Sequence, residues 1–440
     1  MHQEIVLGLG LTGLSVVRYL VSQGRFISVI DTRDHPPGAD ILKAEFPQVI
    51  LYTGGYHPEI LASASRIIIS PGLAKDHPDL LALKNNIAIV GDIELFAHAV
   101  QAPVVAITGS NGKSTVTSLI TYMAELSNIN VAAGANLGEP ALSLLKKEPE
   151  LYCLELSSFQ LETTASLHTK VAAILNVTED HMDRYPDLNA YRQAKLRIYQ
   201  HCDLAVFNRD DLKTQPPPSL PSISFGLDQP QPGHWGLVEK GNQGYLAYGQ
   251  ECWLPISDML LKGSHHVANA LAALAIGQAL GLAPDAMLAA LKTFAGLPHR
   301  CEWVGERDGV IWINDSKGTN VGATVAALNG LADTILGRWI LIAGGEGKNA
   351  DFSPLLQPVS QHCKAVVLLG KAAEELNHLF YPHVPCFRVA TLKEAVHQAQ
   401  LLARVHDGVL LSPACASFDM YRNYEERGED FRQIVSEIAL

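Results

Sequence analysis

Apolar residues in the first ninety positions come in short unbroken runs, at 4–8, 26–30, 66–70 and 87–90, while the segment 14–23 spaces them with a helical period. Runs this short and this uniformly apolar are strands buried on both faces, and the helical segment between them makes parallel βαβ units. A second block repeats the scheme. Runs at 103–108, 152–156 and 172–176 predict strands, and the segments 113–126 and 266–280 predict helices, the latter rich in Ala and Leu. The proline-rich stretch 215–221 and the Gly/Gln-rich stretch 229–250 read as surface loops or hairpins inside that block. Beyond Gly296, Leu297 and Pro298, strands at 310–314, 339–343, 365–369 and 409–412 again alternate with helical patterns. The fold class is therefore α/β, in three blocks.

Composition narrows the chemistry. With 440 residues, 48% of them hydrophobic and 18% charged, the chain is long enough for two or three cores and is not a disordered sequence. Its formal charge of −12 is spread without long runs of one sign, which argues against a nucleic acid or an anionic membrane as partner. The apolar stretch 5–17 imitates a signal-peptide core, but it carries Gly and Thr at fixed spacing, with no basic start and no cleavage site. No run reaches the length of a membrane span. Cys153, Cys202, Cys252, Cys301, Cys363, Cys386 and Cys415 are scattered and form no Cys-x-x-Cys pair, so no zinc or redox site is expected and a reducing cytoplasm fits.

Candidate chemistry collects where predicted strands end. Gly8, Gly10 and Gly13 follow the first strand and open a helix, and Asp31 ends the next strand. Glycines there let the backbone approach a diphosphate at a helix N-terminus, where free N–H groups favour an anion. A nicotinamide dinucleotide and a UDP-sugar both satisfy that geometry. Ser70, Pro71 and Gly72 end another strand at the same crevice. The run Thr108-Gly109-Ser110-Asn111-Gly112-Lys113-Ser114-Thr115 passes from strand to helix, as a phosphate-cradling loop does, although Ile107 stands where the longer form has glycine. Lys113 would reach the β- and γ-phosphates, and the Ser114 hydroxyl would bind Mg²⁺. Glu155 ends an apolar strand, where a carboxylate without a cation is costly, so a metal role is attractive. Asp180 and His181 end the strand at 172–175 and are placed to serve Mg²⁺ or substrate. Lys195, by pattern, is an ordinary helical lysine. Arg300, Asp315 and Lys317 stand at a junction and a strand end in the third block, suited to grip nucleotide phosphate and ribose from the far side of a cleft. Segments 344–348 and 412–419 end further strands and face the same kind of crevice.

Several separated motifs occur in one order: Gly-Leu-Gly-Leu-Thr-Gly-Leu-Ser from Gly8, the phosphate loop, Leu-Glu-Leu-Ser-Ser-Phe-Gln-Leu-Glu from Leu154, Asn-Val-Thr-Glu-Asp-His-Met-Asp-Arg-Tyr from Asn176, Leu-Pro-His-Arg from Leu297 and Ser-Pro-Ala-Cys-Ala-Ser from Ser412. In these the chain resembles, essentially end to end, the Mur ligases of peptidoglycan synthesis, and among them the members that add D-glutamate. The resemblance implies three domains: an N-terminal Rossmann-like domain for a UDP moiety (1–91), a central P-loop ATPase domain with a mostly parallel sheet (92–296), and a C-terminal Rossmann-like domain that closes on ATP and receives the amino acid (297–440).

It also implies residue roles. Leu11, Thr12, Asp31, Thr32 and Arg33 would hold the uridine nucleotide, with Ser70 and Gly72 near its diphosphate and Asn136 and His181 near the sugar-peptide part. Gly109, Ser110, Asn111, Gly112, Lys113, Ser114 and Thr115 would cradle ATP, and Asn269, Arg300, Asp315 and Lys317 would complete its site. Ser114, Glu155 and His181 would bind or support two Mg²⁺ ions, joined by Lys195 once CO₂ has carbamylated it into a metal-binding anion. Lys113, His181, Lys195 and Lys317 would form the catalytic group. Thr319, Lys348, Ser417, Phe418 and Tyr424 would receive D-glutamate. Three positions depart from the family pattern: His266 replaces an asparagine, Gly318 an alanine and Tyr424 a phenylalanine. The implied reaction is ATP-dependent ligation of D-glutamate to UDP-N-acetylmuramoyl-L-alanine through an acyl phosphate, by a cytoplasmic monomer with no nucleic-acid partner. A related ligase for another amino acid is the main alternative, although the Asp-Asn-Pro-Arg segment of diaminopimelate-adding relatives is absent. An NAD(P)-dependent oxidoreductase would leave Lys113, Ser114 and Thr115 idle. A non-catalytic nucleotide-binding module would leave Glu155, His181 and Lys195 unexplained.

Overall fold

The computed structural model describes residues 3–83 and 87–438. Among them, three sheets follow one another along the chain. The first has five parallel strands in the spatial order Ile50–Thr53, Ile27–Asp31, Glu4–Leu7, Arg66–Ile69 and Ala88–Val90. The second has nine. It runs from Val131–Ala135 through Leu151–Glu155, Val104–Thr108, Thr169–Ile174, Cys202–Asn208 and Ser222–Phe225 to Trp235–Lys240, Gln243–Tyr248 and Glu251–Pro255. Its strands are parallel as far as Trp235, and the last three form antiparallel pairs. The third sheet orders Glu302–Arg307, Val310–Asn314, Gly408–Leu411, Trp339–Gly344, Cys363–Leu369 and Cys386–Arg388, with only the first pair antiparallel.

The stretch 229–250 thus contributes hairpin strands to the central sheet. Strands Ile50–Thr53, Val131–Ala135 and Cys202–Asn208, not expected from the sequence, are partly exposed and carry only short apolar runs. Val104–Thr108 and Leu151–Glu155, by contrast, are buried throughout and were legible for that reason. The helix Ser264–Leu280 buries ten of its residues on almost every face, because it packs on the sheet beside the helix Lys113–Leu126 and against the helices Pro284–Thr293 and Val321–Leu331. Residues 294–301 carry the chain from the helix Pro284–Thr293 to the first strand of the third sheet. No helix among the described residues is long and apolar enough to cross a membrane. Parallel pairing puts the carboxyl ends of Val104–Thr108, Leu151–Glu155 and Thr169–Ile174 on one edge, and the loops that leave that edge build the site.

Candidate active site

The phosphate loop leaves Thr108 and turns into the helix Lys113–Leu126 at Gly112, whose φ of +83° and close approach to Asn269 Oδ1 leave no room for a side chain. A second loop braces it. Ser110 N–H donates to Asn176 O at 2.9 Å, Asn111 N–H to Asn176 Oδ1 at 2.8 Å, and the Ser110 hydroxyl to Thr178 O at 2.8 Å. Lys113 Nζ donates to the carbonyls of Gly109 (2.8 Å) and Ser110 (2.9 Å), and Lys195 Nζ reaches Gly109 O at 2.9 Å. Two lysines therefore share one carbonyl. Lys195 is only 1% exposed and lies 4.4 Å from the Tyr191 ring centroid. Burial, and then Lys113, push the Lys195 amine well below its usual range, and burial lowers Lys113 too.

Glu155 stands opposite. Its Oε2 accepts from the Ser114 hydroxyl at 2.5 Å and its Oε1 from Asn136 Nδ2 at 2.7 Å, while Arg300 Nη2 donates to Ser114 Oγ at 2.5 Å. Burial works to raise the Glu155 carboxyl, but Lys113, Ser114 and Asn136 outweigh it and hold it below the ordinary range, so the group is ionised. An ionised carboxylate and a hydroxyl, both hard oxygen donors at a phosphate loop, fit Mg²⁺. His181, at the rim of the same cavity, holds a left-handed φ of +59° that a non-glycine residue adopts only under constraint. Burial lowers its imidazole against the opposing pull of Asp180, whose carboxylate lies 3.6 Å away.

The third domain closes this cavity, of about 430 Å³, from above. Lys317 Nζ sits 3.8 Å over the Tyr424 ring, and burial followed by Arg300 lowers its amine to about 8. Burial raises the Asp315 carboxyl to about 6 although Ser412 donates to it at 2.7 Å. Lys348, Thr319, Ser417, Phe418 and Tyr424 line the cavity together, with Lys348 Nζ 3.9 Å from Asp180 and Phe418 largely exposed at the rim. Asn320, not singled out from the sequence, locks the seam: its Nδ2 donates to Asn111 Oδ1 and to Asp180 Oδ2, both at 3.2 Å. It also caps the helix Val321–Leu331. A capping signal was present in the sequence, but the partners lie in another domain.

Two further cavities adjoin. Asn111, Gly112, Arg300 and Lys317 are shared with a space of about 140 Å³ that Thr115, Asn269 and Asp315 also line. Asn136 is shared with one of about 570 Å³ between the first and central domains, bounded on the first-domain side by Leu11, Thr12, Asp31, Thr32, Arg33, Ser70 and Gly72. There the Asp31 carboxylate is already engaged, accepting from Leu9 N–H at 2.7 Å and from Arg33 N–H, Nε and Nη2 at 2.9, 2.8 and 2.7 Å. Asp31 therefore aims Arg33 and ties down the glycine turn.

Family profiles match in the same order. One described as Mur ligase MurD-like, N-terminal domain, covers residues 2–91; Mur ligase middle domain covers 107–277; Mur ligase, glutamate ligase domain, covers 299–415. The UDP-N-acetylmuramoylalanine--D-glutamate ligase of Nitrosococcus oceani is 52% identical over 99% of this chain and 96% of its own length. That of Pseudomonas aeruginosa is 51% identical over 100% and 98%. Among solved structures, a pseudomurein peptide ligase type C from Methanothermus fervidus superposes with a TM-score of 0.65 at 19% identity, covering 100% of both chains. UDP-N-acetylmuramate-alanine ligase MurC from Thermotoga maritima gives 0.63 at 17%, again over 100% of both. At such identities the structures speak for the fold alone.

Proposed function

The chain belongs to the Mur ligase family, and we propose that its three adjoining cavities carry the substrates of one ligation. It adds D-glutamate to UDP-N-acetylmuramoyl-L-alanine with ATP. The observation that carries the site assignment is the sharing of lining residues: Asn136 joins the UDP-side cavity to the central one, and Asn111, Gly112, Arg300 and Lys317 join the central one to the nucleotide side. The alanyl carboxylate then meets the γ-phosphate beside Glu155 and Lys113. Its oxygen attacks phosphorus, ADP leaves, and an acyl phosphate forms; the amine of D-glutamate attacks the acyl carbon and inorganic phosphate departs.

Lys113 and Lys317 neutralise the phosphoryl oxygens during transfer, an interaction that grows in the transition state. Burial lowers both amines, that of Lys317 to about 8, and a polyphosphate beside them would raise them again. Glu155, Ser114, His181 and a carbamate on Lys195 would hold two Mg²⁺ ions, which when bound supply further charge neutralisation. Arg300 and Asn320 keep the third domain against the phosphate loop and exclude water that would hydrolyse the acyl phosphate. A cytoplasmic monomer suits these small-molecule substrates.

Phosphate release measured with D-glutamate, L-glutamate, L-lysine and meso-diaminopimelate tests the choice of amino acid. D-glutamate alone should support turnover; equal use of L-lysine would favour the related-ligase reading. Lys348→Ala leaves a substrate carboxylate short of its cation, which costs roughly 2–4 kcal/mol. The loss should appear as a KM for D-glutamate raised ~30- to 1,000-fold, with the KM for ATP little changed. Asn320→Asp sets a carboxylate against Asp180 in place of a donor, and titration should show ATP binding weakened about tenfold or more.

A further inference from the structure

One side-chain cluster at the wall of the nucleotide cavity carries no role assigned above. His265 and His266 lie in the first turn of the helix Ser264–Leu280, and Cys301 immediately precedes the first strand of the third sheet. Far apart in sequence, one imidazole nitrogen of each histidine and the thiol sulfur lie within 4.8 Å of one another, and no other such trio of His, Cys, Asp or Glu occurs among the described residues. Both ring nitrogens of His265 and Nδ1 of His266 are sealed from solvent without a hydrogen-bond partner. Buried polar atoms are nearly always paired, so three orphans in one place call for a ligand. The cluster also spans a seam. A Cβ at Gly330, in the helix Val321–Leu331 of the C-terminal domain, would fall on His265 Nδ1, so only glycine lets that helix come so near.

We propose that His265, His266 and Cys301 form a metal site for one thiophilic divalent cation of the Zn²⁺ class, which ties the C-terminal domain to the central domain at the wall of the nucleotide cavity. Two imidazoles and a thiolate are a borderline-soft donor set that suits Zn²⁺ or Co²⁺ and not Mg²⁺, and a fourth position stays open to water. Burial keeps both imidazoles neutral, His265 lowered to about 4, so their lone pairs are available. Burial and Asp315 keep the Cys301 thiol protonated, so binding forms a metal–sulfur bond, breaks S–H and releases one proton to solvent. These three residues line the same cavity as Asn269 and Arg300, and an ion there narrows it. ATP should therefore bind more weakly in its presence; this consequence alone rests on the ligation reading.

Co²⁺ serves as the spectroscopic probe, titrated into the full chain with Mg²⁺ in excess to occupy the oxygen-ligand positions. A near-ultraviolet thiolate-to-cobalt band should saturate at one equivalent and be displaced by Zn²⁺. It should vanish in Cys301→Ser, persist in Cys202→Ser, and need at least tenfold more Co²⁺ in His266→Asn, each variant checked for its fold by circular dichroism. Absence of the band in the parent chain, or its survival in Cys301→Ser, overturns the site. Zn²⁺ should also raise the KM for ATP several-fold in the parent and not in Cys301→Ser; a KM unmoved in the parent refutes the placement at the nucleotide cavity. A chain that shows the band but no D-glutamate-dependent phosphate release keeps the metal site and loses the ligation reading.

Discussion

Lys113→Ala should abolish ATP-dependent ligation and leave the binding of UDP-N-acetylmuramoyl-L-alanine intact. In the structure Lys113 Nζ is folded onto the carbonyls of Gly109 and Ser110, and burial depresses its charge. A polyphosphate offers a far stronger partner than two carbonyls, so the ammonium is held most firmly when ATP is present. Charge of this kind acts mostly in the transition state, and its removal costs on the order of 10³-fold in kcat, about 4 kcal/mol. The UDP-side cavity shares only Asn136 with the catalytic one and does not touch Lys113. Calorimetric titration should therefore give a UDP-substrate affinity within about twofold of the parent's, a change below ~0.5 kcal/mol. Near-normal phosphate release by Lys113→Ala would reject the assignment of the loop as the ATP site.

The parts of this site that the sequence revealed are those whose chemistry is local. Gly112 and Lys113 sit where a buried strand meets a helix, and a glycine at φ +83° beside a lysine carries its meaning in four or five residues. Glu155 was legible because a carboxylate at the end of an apolar strand is costly without a partner, and its partners are Ser114 and Asn136. Lys195 is the opposite case. Its helix, Leu188–Leu196, has a mixed surface pattern, and nothing nearby in sequence says that Lys195 will be buried against Gly109 O and the Tyr191 ring. Only resemblance marked it. Asn320 joins Asn111 and Asp180 across a domain seam, and Cys301 meets His265 and His266 across the same seam. Cysteine spacing could not disclose that second meeting, since the two histidines open the helix Ser264–Leu280 and the thiol precedes the strand Glu302–Arg307 of another sheet. Asp31 shows a further tie that spacing does not disclose: its oxygens accept from Leu9 and Arg33, which fixes the glycine turn beside the UDP-side cavity.

Lys195→Ala should lose most ligase activity, roughly 10²- to 10³-fold or about 3–4 kcal/mol, and recover part of it with small carboxylic acids. The Lys195 amine is enclosed, only 2.9 Å from Gly109 O, in the field of Lys113. A protonated amine there would repel both Lys113 and any divalent cation, and burial followed by Lys113 lowers its proton affinity accordingly. The direction of that shift favours carbamylation. Burial and Lys113 shift the amine toward its neutral form, whose lone pair would attack CO₂; nitrogen would then give up one proton and leave an N–COO⁻ group. That group would turn a repulsive position into an anionic one in the cavity that Glu155 also lines, where it would serve a second Mg²⁺. Acetate or formate should fill the space left in Lys195→Ala and restore activity in a saturable way, whereas Lys113→Ala should show no such rescue. In the parent chain, ¹³C-labelled bicarbonate should give a carbamate resonance that disappears in Lys195→Ala. Failure of every short acid to rescue, together with no carbamate resonance in the parent, would leave Lys195 a bare amine and remove one anion from the proposed metal site.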